Sequence, residues 1–369
     1  MKAGAWARAA WNTGSEIEQK TGLLMFDTDR CTECGACLTQ CPSVQYSTEK
    51  AIAEIRELKQ FGQADILSAC ITCMACNESC PTGARPFDRI SMLQEQHGIR
   101  LVSGSRADMI ETQLNSVPKH IVVGGDSRLP ALSLCVMEQA LPQNMAVSAL
   151  FKGLTIVSGS PYYSRVVHLH TGMPSLTREH AARFIENLAD LGRKEIVFAH
   201  DDCYVMAAVL APGYGIDVPF MAVHLADWLC RALAEKGTEV KLLGKRIAFQ
   251  RPCITRLAPW TDRCVDTVFR LTGVERAART YDGMNALCCG IGLMEKYPER
   301  SRELVQKNIA DALKHGAEAM VFGCPSCYAF MSGPCMEAGL APIFISDLAR
   351  MALGEIPFEP RPHIRRDIA

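Results

Sequence analysis

The chain has 369 residues, 48% of them hydrophobic and 21% charged, with a formal net charge of −1. That length supports two or three domains with sizeable cores, so folding need not depend on disulfides. The near-balanced charge gives no reason to expect a basic face for nucleic acid or for an anionic bilayer, and no nucleic-acid partner is expected.

Residues 1–25 read as an N-terminal arm. The stretch from Met1 to Trp11 is broken by Arg8 and runs into Gly14, Ser15, Glu16 and Glu18, without the apolar core of a signal peptide. The expectation is a cytoplasmic chain. No segment offers the roughly 18 uninterrupted apolar residues of a membrane helix, so membrane association would come through a partner protein. In a reducing compartment the chain's 18 cysteines are expected to be metal ligands rather than disulfides.

Residues 26–117 are expected to form a mainly helical domain. A helix is predicted over 48–61, where Ile52, Ile55 and Leu58 recur at helical spacing, and helical patterns continue over 85–115. The cysteine motif Cys31-x-x-Cys34-x-x-Cys37-x-x-x-Cys41-Pro42 is repeated as Cys70-x-x-Cys73-x-x-Cys76-x-x-x-Cys80-Pro81. Three cysteines so spaced wrap one face of a cubane while the fourth is carried to the other cluster. Cys31, Cys34, Cys37 and Cys80 are therefore expected to hold one [4Fe-4S] cluster, and Cys70, Cys73, Cys76 and Cys41 a second. Zinc also binds Cys-x-x-Cys pairs, but it leaves the further Cys-x-x-Cys step of each motif and the trailing prolines unexplained. Gly35 and Gly83 suit the tight backbone around a cluster.

Beyond Pro118 short apolar strands alternate with helices, the clearest strands being 120–123, 154–157, 195–199, 246–249, 319–322 and 342–345. This alternation predicts α/β structure with mainly parallel strands, and so an α+β chain overall. Residues 192–204 align without gaps on 316–328, ending in His200-Asp-Asp-Cys203-Tyr204 and Cys324-Pro-Ser-Cys327-Tyr328. Around this core, 119–123 resembles 245–249 and 215–228 loosely resembles 339–350. A duplicated pair of lobes is inferred, 118–240 and 241–356, followed by a tail over 357–369.

The second lobe carries Cys253, Cys288-Cys289-Gly290 and Cys324-Pro-Ser-Cys327. In a βα alternation such gaps return the chain to one sheet edge, where five thiolates can converge. Five soft ligands exceed the need of one tetrahedral zinc and favour a polynuclear iron–sulfur cluster. Buried cysteines that merely fill core are the plainer alternative.

These residues resemble the cysteine-rich CCG-domain iron–sulfur proteins. Among them are the B and D subunits of heterodisulfide reductase and the iron–sulfur subunits of glycolate oxidase, anaerobic glycerol-3-phosphate dehydrogenase and lactate utilisation complexes. The resemblance extends over nearly the whole chain from about residue 25, since the D subunit joins a two-cluster domain to a duplicated CCG domain. It implies that Cys253, Cys288, Cys289, Cys324 and Cys327 hold a noncubane [4Fe-4S] cluster of the kind that cleaves a disulfide.

The first lobe departs from this pattern. His200 stands for Cys324, Cys203 for Cys327, and His170-Thr171-Gly172 for the Cys288 segment, while Ser127 or Asp126 falls opposite Cys253. His170, His200 and Cys203, with Asp202 nearby, have the donor types of a mononuclear zinc-like site; a degenerate site with only structural contacts is the alternative. Cys135, Cys230, Cys264 and Cys335 have no partner spacing and receive no role.

No G-x-G-x-x-G or P-loop motif occurs, so flavin or nucleotide would be bound by another protein of a complex. The expected function is an iron–sulfur subunit of a multisubunit oxidoreductase, relaying electrons to the five-cysteine cluster and a disulfide or thiol substrate. Its expected partners are a flavoprotein, a ferredoxin-like protein or a membrane cytochrome. The alternative is a pure relay between an FAD-dependent dehydrogenase and a quinone or cytochrome.

Overall fold

The computed structural model describes residues 25–358. Nearly all of the arm read over 1–25 and of the tail read over 357–369 falls outside that span.

The N-terminal region is helical, for local reasons. Helix Thr48–Gln60 begins where the Ser47 hydroxyl accepts from the Lys50 amide at 3.3 Å, with Glu49 in its first turn and Lys59 in its last. It buries Ala51, Ile55 and Leu58 along one stripe. Helix Pro86–Gln96 starts on a proline and buries Phe87, Ile90 and Leu93. Helix Gly104–Asn115 buries none of its own residues. Glu111 pins it to the first lobe by accepting from Arg165 and pairing with His168 at 3.0 Å.

The remainder holds two sheets. The first contains β1 (His120–Val123), β2 (Ala131–Ser133), β3 (Thr155–Ser158), β4 (Glu195–Phe198) and β5 (Met221–His224) in the order β1-β3-β2-β4-β5. Only β1 runs antiparallel there. The second contains β6 (Arg246–Gln250), β7 (Glu275–Arg276), β8 (Ala319–Phe322) and β9 (Ala341–Phe344), all parallel, in the order β7-β6-β8-β9. Strands β8 and β9 are buried along their whole length, as apolar runs of a covered parallel sheet should be.

Without β1 the two orders coincide, and the duplication becomes visible strand by strand. Gly172 and Gly290 both sit at φ +85°, and each is soon followed by a helix starting on proline, Pro174–Ala189 and Pro298–Lys314. The upstream part of the repeat is corrected, however. The counterpart of β6 is β2, because Ala131 pairs with Ile196 as Ala248 pairs with Met320. Strand β1, expected in that place, is an added antiparallel edge whose His120 and Ile121 are exposed. The downstream part shifts too: β5 answers to β9, so the loop after Gly215 is longer than that after Gly339.

The lobes share a core. Helix Leu225–Lys236 of the first packs on helices Thr261–Thr272 and Ile345–Ala352 of the second. Cys230 is buried in this seam, its thiol donating to the Cys264 carbonyl at 3.2 Å.

Candidate functional site

The two ferredoxin-type motifs fold alike. Glu33 and Thr72 lie at φ 59° and 55°, and Gly35 and Met74 at φ 74° and 62°, each of the latter pair opening a one-turn helix that carries Cys37 or Cys76. Left-handed residues at alternate positions turn backbone amides into an anion-binding concavity. Two of the amides that reach cysteine sulfur are Thr72 to Cys70 Sγ at 3.4 Å and Ala84 to Cys80 Sγ at 3.3 Å. Non-glycine residues in this region cost on the order of 1 kcal/mol each, a strain that clusters at functional sites. Glycine is required at 35 for a further reason: a Cβ there would lie 3.0 Å from Ala51 Cβ and from the Ile52 nitrogen.

The fourth cysteines cross over. Cys31, Cys34, Cys37 and Cys80 line one hollow with Phe26 and Pro86. Burial pushes the Cys37 thiol up to about 12, with Cys80, Cys31 and Cys34 adding to it. Burial likewise raises Cys73 and Cys76, and both feel Cys41 and Cys70. So many thiolates form together only around compensating cations, and the donor set fits iron–sulfur clusters. The two sets differ in exposure. Cys34 is at the surface, whereas Cys73 and Cys76 are buried.

The five cysteines of the second lobe adjoin in series. Cys253 meets Cys288, Cys288 meets Cys289, Cys289 meets Cys327 and Cys327 meets Cys324. Cys253 follows β6, while Cys324 and Cys327 stand at the start of the helix after β8, so the strand ends bring them together. The Cys288 segment is tethered by Gln250, whose amide nitrogen donates to the Leu287 carbonyl at 2.9 Å. Asn308 donates to Gln250, and Arg279 donates to Asn308 at 2.6 Å. Gly290 sits at φ +85°, where a side chain is strained, and a Cβ there would press on Ser301 Oγ at 3.1 Å. Cys288 is held well below the usual thiol range, first by Cys253 and then by Cys289. Cys327 holds Cys324 down to about 6, and His200 assists against the effect of burial. Such divided ionisation in a buried sulfur array is the chemistry of a site that takes cationic metal. Cys253 and Cys288 keep partial exposure; the other three are buried.

The ferredoxin-type region is docked onto this site. Thr72, inside the second motif, donates from its hydroxyl to the His170 carbonyl at 2.7 Å. Ile71, Cys73 and Ala75 pack with Leu287, Leu293 and Leu304, against which Cys253 and Cys288 also lie. Glu78, between Cys76 and Cys80, accepts from Arg251 at 2.7 and 2.8 Å and from Arg256 at 2.6 Å. Both arginines flank Cys253 and are buried. Burial works against the Glu78 carboxylate, yet the two guanidiniums keep it below its usual range. Nothing in the local spacing of Glu78, Arg251 or Arg256 marks them in the sequence.

In the first lobe the structure gathers a different trio from the one expected. Cys135, His200 and Cys203 bring their donor atoms within 4.8 Å of one another, all buried. Cys135 follows β2 as Cys253 follows β6, and it occupies the place assigned from sequence to Ser127 or Asp126. Those two lie on the loop before β2, where Asp126 pairs with Arg128 at 2.7 Å. His170 stands beside the trio, with Nε2 3.0 Å from Asp202 Oδ1 and Nδ1 3.9 Å from Cys253 Sγ. The first lobe thus abuts the five-cysteine site directly.

Comparison with known proteins agrees with this anatomy. The 4Fe-4S dicluster domain matches residues 15–85, and the cysteine-rich CCG domain matches residues 247–332. The D subunit of dihydromethanophenazine:CoB–CoM heterodisulfide reductase from Methanosarcina mazei is 20% identical over 85% of this chain and 90% of its own. Its counterpart from Methanosarcina barkeri is equally similar. The C subunit of ferredoxin:CoB–CoM heterodisulfide reductase from Methanosarcina acetivorans is 26% identical over 31% of this chain and 46% of its own. In fold, a hypothetical protein from Helicobacter pylori superposes with a TM-score of 0.54 at 12% identity, over 82% of this chain and 64% of that one. Among the described residues no helix is long and apolar enough to cross a membrane. The chain is an iron–sulfur protein that joins a 4Fe-4S dicluster domain to a cysteine-rich CCG domain, related along most of its length to the D subunit of heterodisulfide reductase.

Proposed function

We propose that this chain is the disulfide-reducing iron–sulfur subunit of a multisubunit redox complex, with Cys253, Cys288, Cys289, Cys324 and Cys327 forming the substrate site. The observation that carries this is the serial contact of those five cysteines, two of them partly exposed, directly against the second ferredoxin-type motif. When bound, two [4Fe-4S] clusters would supply single electrons and a noncubane [4Fe-4S] cluster would supply two-electron disulfide cleavage. The residues determine the layout. Cys34 offers an edge to a redox partner, a flavoprotein, a ferredoxin-like protein or a membrane cytochrome. Thr72, Glu78, Arg251 and Arg256 hold the second motif against the five cysteines. The overall reaction breaks one substrate S–S bond, consuming two electrons and two protons to give two thiols.

The anaerobically purified full chain tests this reading. About twelve irons per chain are expected for three four-iron clusters. A disulfide or thiol added under oxidising conditions should produce a new paramagnetic signal that Cys289→Ala removes, while the ferredoxin-type clusters remain reducible. Twelve irons without any substrate-dependent signal would reduce the chain to a relay between a dehydrogenase and a quinone or cytochrome. About eight irons would mean that the five cysteines hold no cluster.

A further inference from the structure

We propose that Cys135, His200 and Cys203 form a mononuclear zinc site in the first lobe, in the position that the duplication gives to the five-cysteine site in the second. His200 Nδ1 lies 3.5 Å from Cys135 Sγ and 3.7 Å from Cys203 Sγ. A tetrahedral zinc with bonds of about 2.3 Å to sulfur and about 2.0 Å to nitrogen separates those donors by roughly 3.6 Å. The observed spacing is therefore that of a shared ion.

The surroundings are built for ligation. His200 is 1% exposed, Cys135 0% and Cys203 1%, so water from bulk does not satisfy them. The other ring nitrogen, Nε2, has no hydrogen-bond partner among the described residues but faces Asp202 Oδ2 at 3.5 Å. A carboxylate behind a ligating imidazole fixes its tautomer and strengthens its donor nitrogen. Asp202 is itself anchored by His170 at 3.0 Å. Tyr163 stacks parallel to the His200 ring with centroids 6.2 Å apart, which fixes the plane of the imidazole. Ser164 is fully buried, with its hydroxyl toward the Cys203 thiol. It, or a water, completes four-coordination.

The donor set selects the metal. Thr171 stands where the second lobe has Cys289, and His200 where it has Cys324, so the thiolates that would surround a polynuclear cluster are gone. Two thiolates and one imidazole in a compact buried trio suit zinc. All three ligands come from the first lobe, and His200 also reaches Cys324 of the second.

Zinc and iron analysis of the full chain, purified anaerobically from zinc-sufficient medium, tests the proposal. One zinc per chain is expected, with zinc-edge absorption fitted by two sulfurs at about 2.3 Å and a nitrogen at about 2.0 Å. Cys135→Ser and Cys203→Ser should each lose that zinc while iron content is unchanged. Asp202→Asn keeps all three ligands and should release zinc to a chelator at roughly 10- to 100-fold lower concentration. Should the cysteine variants fail to fold, the wild-type absorption fit and Asp202→Asn decide the question. Wild-type protein with less than about a fifth of a zinc per chain, a Cys135–Cys203 disulfide in the denatured unreduced chain, or zinc retained in both cysteine variants would each overturn the proposal.

Discussion

Replacing Glu78 with Gln removes the carboxylate that joins the ferredoxin-type region to the second lobe. Arg251 would keep its bond to Asp262 at 2.8 Å and Arg256 its bonds to the Met284 and Ala286 carbonyls at 3.1 and 2.8 Å. Arg256 would have no remaining anionic partner among the described residues, although its side chain is only 2% exposed. Breaking a buried pair from one side costs about 3–5 kcal/mol, because a charge is left without compensation. Taking about 3 kcal/mol for the isosteric change, the population opened at this seam rises by roughly two orders of magnitude. Cluster loss is irreversible, so the assay is the anaerobic rate of iron release in moderate guanidinium, followed by visible absorbance. Glu78→Gln should release iron on the order of 100-fold faster than wild type. The control is Glu33→Gln, whose partners are the exposed Arg56 and the partly exposed Lys59 beside the first motif; its rate should stay near that of wild type. Equal rates for Glu78→Gln and Glu33→Gln would refute the idea that the buried clamp holds the domains together.

Gly290→Ala should drop iron from about twelve to about eight per chain, since φ is +85° and the new Cβ would press on Ser301; reducible ferredoxin-type clusters should survive in it, as metal analysis with low-temperature spectroscopy would register. Brief exposure to oxygen followed by alkylation and mass spectrometry should label Cys34 before Cys73 or Cys76, because only the first of these is exposed. Arg300 donates to Ser43 at 2.6 Å and to the Ala69 carbonyl at 2.7 Å, next to Cys41 and Cys70. Removing its positive charge with Arg300→Gln disfavours the more negative reduced state. Redox titration should place the second cluster lower by on the order of tens of millivolts, with the first cluster unmoved.

The strands legible in the sequence are those with the longest apolar runs. His120–Val123 and Ala319–Phe322 stand where expected, and β3, β4, β6 and β9 are displaced by at most one residue at an end. Strands β2 and β7 escape because three and two residues carry too little periodicity to be seen, and β5 because its apolar run is only Met221-Ala-Val223 and ends on His224. Missing β2 has a chemical consequence. With the edge strand β1 taken as the counterpart of β6, the position matching Cys253 falls near Ser127, and Cys135 is left without a role. The cysteine motifs are legible because cluster ligation fixes their spacing. The clamp is not, since Glu78 and Arg251 are remote in sequence and pair only once the domains dock. A surer sign of the first-lobe trio is the ungapped frame that sets Pro174, His200 and Cys203 against Pro298, Cys324 and Cys327, extended to the nearest upstream cysteine.

The asymmetry between the lobes follows from how the duplication closes. Equivalent segments meet at the seam: His200 reaches Cys324 and His170 acts on Cys288, each its own counterpart, and His170 also reaches Cys253. Two complete thiolate sets would therefore crowd many sulfurs and their charges into one buried space. Replacing thiolates by His170, Thr171 and His200 in one lobe lowers that charge and leaves imidazoles facing the retained cysteines. A neighbour of this kind stabilises thiolate at Cys324 and Cys288, both of which are held below the usual thiol range. The lobe with fewer sulfurs thus acts on the lobe with five, through the two histidines at their boundary.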